Sequence, residues 1–501
     1  MRSGLVGKAV WALGGTGALA VSGFAQGIIT ARFLGPAGTG TVGYMVWSTS
    51  IIGLLFNLGL THSATKFVAE CGATNAAAGA QAGVYFARRS ALLSLIAVLV
   101  HAVAFRLWTA PGTPAEWVMC SVYFSLTQAS GIFSGLAYGL QQFRLVTVVC
   151  LSGAALQLLG SLLLVPHFGV RGALAGLSLG MLPGAVLAAK MLFRRTTAKL
   201  APAVVARIWQ YTIPAWISAL LFSLAWSRTE VFFLERFRDA PSVAYFTVGL
   251  TVANLATQVP QMLMNALFPH FSGLAATNPQ ALVNVTMMSV RLAAWTMIPA
   301  AVFAAAGAPF WITTVYGARF AGAGAAGIVM TLLAAMMLFS PLVQYLFARN
   351  RSDLIMYQNL LSGVLSVSLC WGLVPVLGIA GALIARSVSN LAGVAFWLES
   401  FRRLTGVRAP LFQVGKIALV ALFSASPILV VSGSAVPSVV GILAATLAAA
   451  GLYLGLTRIF GLLERKDADP ILRWVADLPL GLAALSVGTF SWLVGRRAEV
   501  C

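Results

Sequence analysis

VPHFGVRGAL at residues 165–174 and VPVLGIAGAL at 374–383 follow one pattern, VPxxGxxGAL, written twice 209 residues apart. Each copy joins one long apolar run to the next. Each therefore reads as a tight turn between helices, with Pro166, Gly169 and Gly172, or Pro375, Gly378 and Gly381, supplying the turn dihedrals. Such a turn is ordinary; its repetition is not. A second marker recurs at a similar offset: Arg32-Phe33 followed by Thr41-Val42-Gly43, and Arg236-Phe237 followed by Thr247-Val248-Gly249. Two turns repeated in matching order imply an internal duplication.

The runs that these turns connect set the solvent. Of 501 residues, 59% are hydrophobic and 9% charged, against about 25% charged in a soluble domain. Apolar runs of about 20 residues, each long enough to cross roughly 30 Å of hydrocarbon as a helix, recur along the chain. They fall at 9–30, 40–61, 90–108, 116–138, 145–165, 172–192, 210–233, 242–267, 290–312, 324–347, 353–374, 378–398, 414–433 and 438–460. The expected fold is all-α: a polytopic membrane protein of about 14 transmembrane helices, with two pseudo-symmetric six-helix bundles and a C-terminal helix pair. The expected domains are an N-terminal lobe (1–200), a C-terminal lobe (201–408), helices 13 and 14 (409–462) and a cytoplasmic tail (463–501). The tail's apolar stretch 478–494 is read as interfacial or re-entrant, because crossing would carry Arg496 and Arg497 outside. Six spans is an even number, so both halves enter the membrane alike, and the expected substrate path runs between them.

The net charge of +20 would suit nucleic acid, but its placement argues for membrane topology. With the N-terminus inside, 23 Lys and Arg residues fall on the cytoplasmic side and six (Arg32, Arg106, Arg171, Arg236, Arg238 and Arg319) on the other. That is the positive-inside asymmetry of a multi-pass protein of the cell (inner or plasma) membrane, with a cytoplasmic N-terminus and anionic lipid as its electrostatic partner. The cysteines (71, 120, 150, 370 and 501) form no CxxC pair and the four histidines stand apart, so no metal site or disulfide framework is expected. GGTGALA at 14–20 lies inside an apolar span with no strand before it, which makes it helix packing and not a dinucleotide fingerprint.

Polar residues inside spans carry the functional reading. In span 8, Thr247, Thr251, Asn254, Gln258, Gln261 and Asn265 recur at spacings of 4, 3, 4, 3 and 4, so they share one helix face. A lipid-facing row of amides is costly. The face therefore lines a wet pathway or, on the plainer reading, bonds to neighbouring helices. Span 2, its repeat partner, has a sparser version in Ser50, Asn57 and Thr61. Span 7 carries Arg228 and Glu230, about 200° apart on a helix and so not paired with each other. Glu230 is the candidate for coupling to H+ or Na+; a buried pair with a residue such as Arg386 is the structural alternative. No catalytic constellation and no phosphate-binding loop is found, so no enzyme activity and no cofactor is expected.

Five stretches together carry a family likeness: ARFLGPAGTG (31–40), GLTHSATKFVAE (59–70), SRTEVFFLERF (227–237), VPQMLMNALFP (259–269) and VYGARFAGAG (315–324). In order and spacing the chain resembles, over about 1–460, the polysaccharide-biosynthesis (O-antigen type) flippases of the multidrug/oligosaccharidyl-lipid/polysaccharide (MOP) exporter superfamily. The resemblance implies two lobes rocking between inward- and outward-open states. It implies as cargo a polyprenyl-diphosphate-linked oligosaccharide carried to the outer leaflet for surface polysaccharide such as O-antigen or exopolysaccharide. Other polysaccharide assembly proteins are open as partners. A diphosphate needs cations, and Arg32, Lys66, Arg228 and Arg386 are the candidates. The lipid II flippase branch carries arginines near the start of helix 1, whereas span 1 here (9–30) has none. Two alternatives stand beside this reading: a cation-coupled multidrug exporter of the same superfamily, and a polytopic polysaccharide polymerase or ligase.

Overall fold

The computed structural model describes residues 2–74, 76–107, 111–192, 200–226, 229–266, 271, 274, 278–349, 351–434 and 438–463. Among these residues the secondary structure is helical, with no strand. Helix α1 (Arg2–Asn57) contains 56 residues, about 84 Å at 1.5 Å per residue, which is far more than one crossing requires. It breaks at Gly35, where φ is 65° and ψ −170°, so spans 1 and 2 are its two arms. Helices α2 (Leu60–Thr74), α3 (Ala76–Leu107) and α4 (Pro114–Gly139) follow. Helix α5 (Phe143–Leu192) is again double, broken at Gly169. Then come α6 (Pro202–Trp226), α7 (Thr229–Phe237), α8 (Ala240–Ala266) and α9 (Pro279–Tyr316). Span 10 is built from α10 (Gly324–Ala334), a 3-10 turn at Ala335–Phe339 and α11 (Ser340–Ala348). The last elements are α12 (Ser352–Leu377), α13 (Ile379–Thr405), α14 (Leu411–Ser424), α15 (Ser426–Ser432) and α16 (Val439–Ile459). Each of the fourteen expected spans falls on helix, and nine of the described helical stretches are long and apolar enough to cross a membrane.

The duplicated turn closes on a glycine of positive φ in both copies. Gly169 has φ 59° and Gly378 has φ 61°, a left-handed conformation that costs a residue with a Cβ roughly 1–2 kcal/mol. Val165 and Val374, at the head of each copy, are both buried, as are Ala173 and Ala382 near its end. Behind each turn the arms run antiparallel. In the first copy a Cβ on Gly180 would stand 2.8 Å from the Gln157 amide oxygen, and one on Gly176 2.9 Å from the Ser161 Cα. In the second, the Ser362 hydroxyl donates across the arms to the Ser389 carbonyl at 3.2 Å.

The second marker keeps its position but changes its chemistry. Gly35 turns the chain after Arg32-Phe33. After Arg236-Phe237, Asp239 Oδ1 instead accepts from the Ser242 N–H at 2.9 Å, capping the start of α8. Arg238 then donates to the carbonyls at the end of α12: Pro375 at 2.8 Å, Val376 at 2.8 Å and Val374 at 3.3 Å. A cation on the last carbonyls of a helix satisfies acceptors that would otherwise lack a partner and complements the helix dipole.

Two spans are more broken than their hydropathy suggests. Span 2 stops at Asn57, where Leu58 (φ 50°) and Gly59 (φ 72°) interrupt the helix before α2 begins. Span 13 is cut at Ala425 into α14 and α15, with Pro427 in the first turn of α15. The expected helix at 478–494 lies outside the described residues.

By contacts the chain forms two compact units, Met1–Thr247 with Cys370–Gly378, and Val248–Leu369 with Ile379–Cys501. In the first, α1 and α4 pack on α5, and α2 packs on α3 and α4 around Leu60, Phe67, Phe86, Leu136 and Ile208. Gly15 of the GGTGALA stretch belongs to this packing: a Cβ there would lie 3.1 Å from the Thr147 Cα of α5. In the second, α9 is the central helix, contacting α10, α11, α14, α15 and α16. The C-terminal pair is held to α9 by Ile428, Ala445 and Ala449 against Phe303, and by a 2.9 Å hydrogen bond from the Tyr453 hydroxyl to the Trp295 carbonyl.

Candidate substrate site

The break in span 2 opens a polar cavity inside the first unit. The cavity measures about 290 Å³, and Thr49, Ser50, Asn57, Thr61, Tyr123, Thr127, Gln128 and Trp216 supply its polar lining. Its wall is built where α1 ends. The Asn57 amide oxygen accepts from the Thr61 N–H at 3.3 Å and its amide nitrogen donates to the Thr61 hydroxyl at 3.1 Å, so one side chain bridges the interruption. Gly59 permits the close approach of α6, because a Cβ there would sit 3.3 Å from the Trp216 Cβ. Trp216 Nε1 donates to the Leu54 carbonyl at 2.8 Å, which orients the indole ring.

Three hydroxyl protons of the lining are already committed. Thr49 and Ser50 each donate to the Val46 carbonyl at 2.8 Å, and Thr127 donates to the Tyr123 carbonyl at 2.8 Å. Their lone pairs can still accept, and the Gln128 amide offers donors and an acceptor together. Among the described residues, no Lys, Arg, Asp or Glu lines the cavity. Its chemistry is that of hydroxyl recognition beside an aromatic face, and its volume lies at the lower limit of ligand pockets, about 300–1,000 Å³.

The residues singled out in the sequence fall in different places. Ser50 and Asn57 line the cavity. In span 8, Thr247 is buried, Thr251 half-buried and Asn254 exposed, so this part of the stripe is not sealed along its length. The side chains of Gln258, Gln261 and Asn265 lie outside the described residues. Glu230, in the first turn of α7, is 2% exposed. Its expected face, running from Thr212 through Ser227, crosses residues 227 and 228, so Arg228 too lies outside the described residues. Thr212 itself bonds to Ser63 of α2 at 2.7 Å.

The candidate cations do not gather around the cavity. Arg32 and Lys66 are both exposed and flank opposite ends of the 40–61 span, roughly 30 Å apart along a helix of that length. Lys66 rests its ammonium 3.7 Å from the Tyr211 ring centroid, a cation–π contact. Nearby, Arg207 pairs with Glu70. Arg386 is half-buried in α13. Glu116, the acid at the edge of span 4, closes a capping box with Thr113, whose N–H donates to Glu116 Oε2 at 2.6 Å.

Sequence reasoning missed Tyr123, Thr127, Gln128 and Trp216. Gln128 was within reach, being an amide in the middle of span 4 under the same cost that marks the span 8 amides. Trp216 was not, because an indole in an apolar run carries no signal of its own. Outside the spans, burial and the neighbouring Asp239 push the Glu235 carboxyl up to about 6.

The family model for polysaccharide biosynthesis proteins matches residues 5–275, more than half of the chain. The chain belongs to the polysaccharide biosynthesis protein family. A search of curated proteins gave no match. Among solved structures, the fold is similar to the lipid II flippase MurJ in an inward closed conformation, with a TM-score of 0.70 at 13% identity over 90% of this chain and 98% of that one. It is similar also to an inward-facing multidrug resistance MATE transporter of the MOP superfamily, with a TM-score of 0.63 at 17% identity over 77% and 95%. A MOP superfamily transporter from Pyrococcus furiosus has a TM-score of 0.55 at 17% identity over 79% and 94%. At these identities the likeness is one of fold: the polysaccharide biosynthesis protein is a multi-pass, all-helical membrane protein of MurJ and MATE architecture.

Proposed function

We propose that this protein is a flippase carrying a polyprenyl-diphosphate-linked oligosaccharide across the cell membrane, from the cytoplasmic to the outer leaflet, by alternating access. The observation that carries this reading is the hydroxyl- and amide-lined cavity at the broken second span, uncharged among the described residues, in a chain of the polysaccharide biosynthesis family. Sugar hydroxyls would meet Asn57, Gln128 and the Trp216 face. The diphosphate would be met elsewhere, by cations such as Arg32 or Arg386. A multidrug exporter taking cationic drugs would be served by an acidic lining, and the described lining has no acid.

The cell-level test is loss of the protein. Lipid-linked oligosaccharide is then expected to accumulate, shielded from probes added outside; a normal supply at the outer face would overturn the proposal. For energy, Glu230 is the proposed ion-coupling residue, and Glu230→Gln is expected to abolish gradient-driven transport at normal membrane levels. Wild-type transport in that variant would remove the coupling role from Glu230.

A further inference from the structure

On the other side of α4 the first unit holds a second cavity of about 290 Å³, and its chemistry is the opposite of the first. Its wall is almost wholly apolar and largely alanine: Ala87, Ala91 and Val98 of α3, Ala129 and Ile132 of α4, and Ala185 of α5. Along α3 the lining residues from Ala87 to Val98 share one face and cover 11 residue steps, about 16 Å of helix axis. That is about half of the roughly 30 Å hydrocarbon thickness, the depth of one leaflet. The lining residue Leu95 is exposed, and so are Leu92 and Leu99 on the adjoining face of α3, so the groove opens to the medium around the helices.

One end of the groove is cationic. Arg88 and Arg89 follow Ala87, and Lys190 follows the lining residue Ala189; all three side chains are exposed. No carboxylate pairs with any of them among the described residues. Arg89, two residues from both Ala87 and Ala91, points away from the groove, its guanidinium 5.8 Å from the Tyr85 ring centroid. An apolar slot one leaflet deep, with Arg88 and Lys190 at its end, matches a single molecule: an acyl chain in the slot and a phosphate at its mouth.

We propose that this groove binds an anionic membrane phospholipid, with one acyl chain against the alanines and the phosphate between Arg88 and Lys190. The cargo's own lipid tail is the other apolar chain to consider, and α4 argues against it. Tyr123 and Thr127 face the polar cavity, whereas Ser125 and Ala129 face the groove. Residues two apart on a helix point about 200° apart. A sugar seated against Tyr123 and Thr127 therefore lies across α4 from Ser125 and Ala129, and Gln128 stands at the border between the two faces.

The test is lipid retention by the full-length protein, which needs no transport and so stands apart from the flippase reading. Purified protein is exchanged into nanodiscs containing a photoreactive phosphatidylglycerol or phosphatidylcholine, and the crosslinked peptides are mapped. Phosphatidylglycerol is expected on the α3, α4 and α5 peptides in preference to phosphatidylcholine. The double variant R88Q/K190Q is expected to lose that preference by about tenfold or more while keeping apolar labelling. Ala129→Leu, which fills the slot and leaves the cations in place, is expected to lower labelling by both lipids. A thermal midpoint in phosphatidylcholine equal to wild type certifies each variant as folded. Unchanged preference in the double variant would overturn the proposal. So would labelling confined to other helices, or displacement of phosphatidylglycerol by a short-chain polyprenyl phosphate, which would assign the groove to the cargo.

Discussion

Gly169 and Gly378 occupy equivalent turns but predict different costs. At Gly169 a Cβ meets only the Leu34 Cδ2, at 4.0 Å, so Gly169→Ala carries the backbone term alone, about 1–2 kcal/mol. At Gly378 a Cβ would lie 3.2 Å from Arg238 Nε, so Gly378→Ala also disturbs the guanidinium that holds the α12 carbonyls. Thermal unfolding in detergent should rank Gly378→Ala as the more destabilising of the two. Gln128 makes a different prediction, since it lines the polar cavity and no hydrogen bond to another described residue constrains it. Gln128→Leu should leave the unfolding midpoint nearly unchanged. It should weaken cargo transport by about three- to tenfold, the loss of one net hydrogen bond. Glu235 gives a pH dependence. Its carboxyl is raised from 4.5 to about 6 by burial and then by Asp239, so the folded protein holds this proton more tightly than the unfolded chain does. Its contribution is present below pH 4.5 and is lost as pH rises through about 6. Glu235→Gln should flatten that part of the stability profile. A fall in stability of equal size in the variant would assign the effect to another group.

At the scale of elements, the turns were legible and the breaks inside spans were not. Among the described residues, each of the fourteen hydropathy spans falls on helix, because the bilayer imposes a length and an apolar composition that soluble packing does not. Hydropathy missed the stop at Asn57 because Leu58 and Gly59 are as apolar as their neighbours; what breaks the helix is a pair of positive φ angles, with Asn57 bridging the gap. Asn57→Ala removes that bridge and should cost about 1 kcal/mol, with faster amide exchange at the start of α2. The marker after Arg236-Phe237 was legible as a repeat, but its mechanism was not. Nothing in the letters says that Asp239 would cap α8 or that Arg238 would reach across to Val374, Pro375 and Val376. Arg238→Ala, which leaves three carbonyls without their charged donor, should cost about 1–2 kcal/mol, with part screened by solvent. Hydrogen exchange localised to the 374–383 turn would show it.

For the whole molecule, composition and charge placement determined the class, and the duplicated turn foretold two equivalent hairpins that close at glycines of nearly equal φ. The site was only half legible. Ser50 and Asn57 could be named from their place in an apolar span, whereas Trp216 joins them only because α6 packs across the break. On the proposed flippase reading, the absence of charge among the cavity's described lining residues separates sugar recognition from diphosphate recognition and assigns them to different residues. That separation makes the flippase account testable in a purified system. The decisive measurement is translocation of a polyprenyl-diphosphate oligosaccharide in proteoliposomes, scored by the fraction that becomes accessible to a glycosidase on the far side. Wild-type protein should raise that fraction well above protein-free vesicles, and Gln128→Leu should return it toward background without loss of folded protein. Wild-type vesicles no more permeable to this cargo than empty ones would contradict the account.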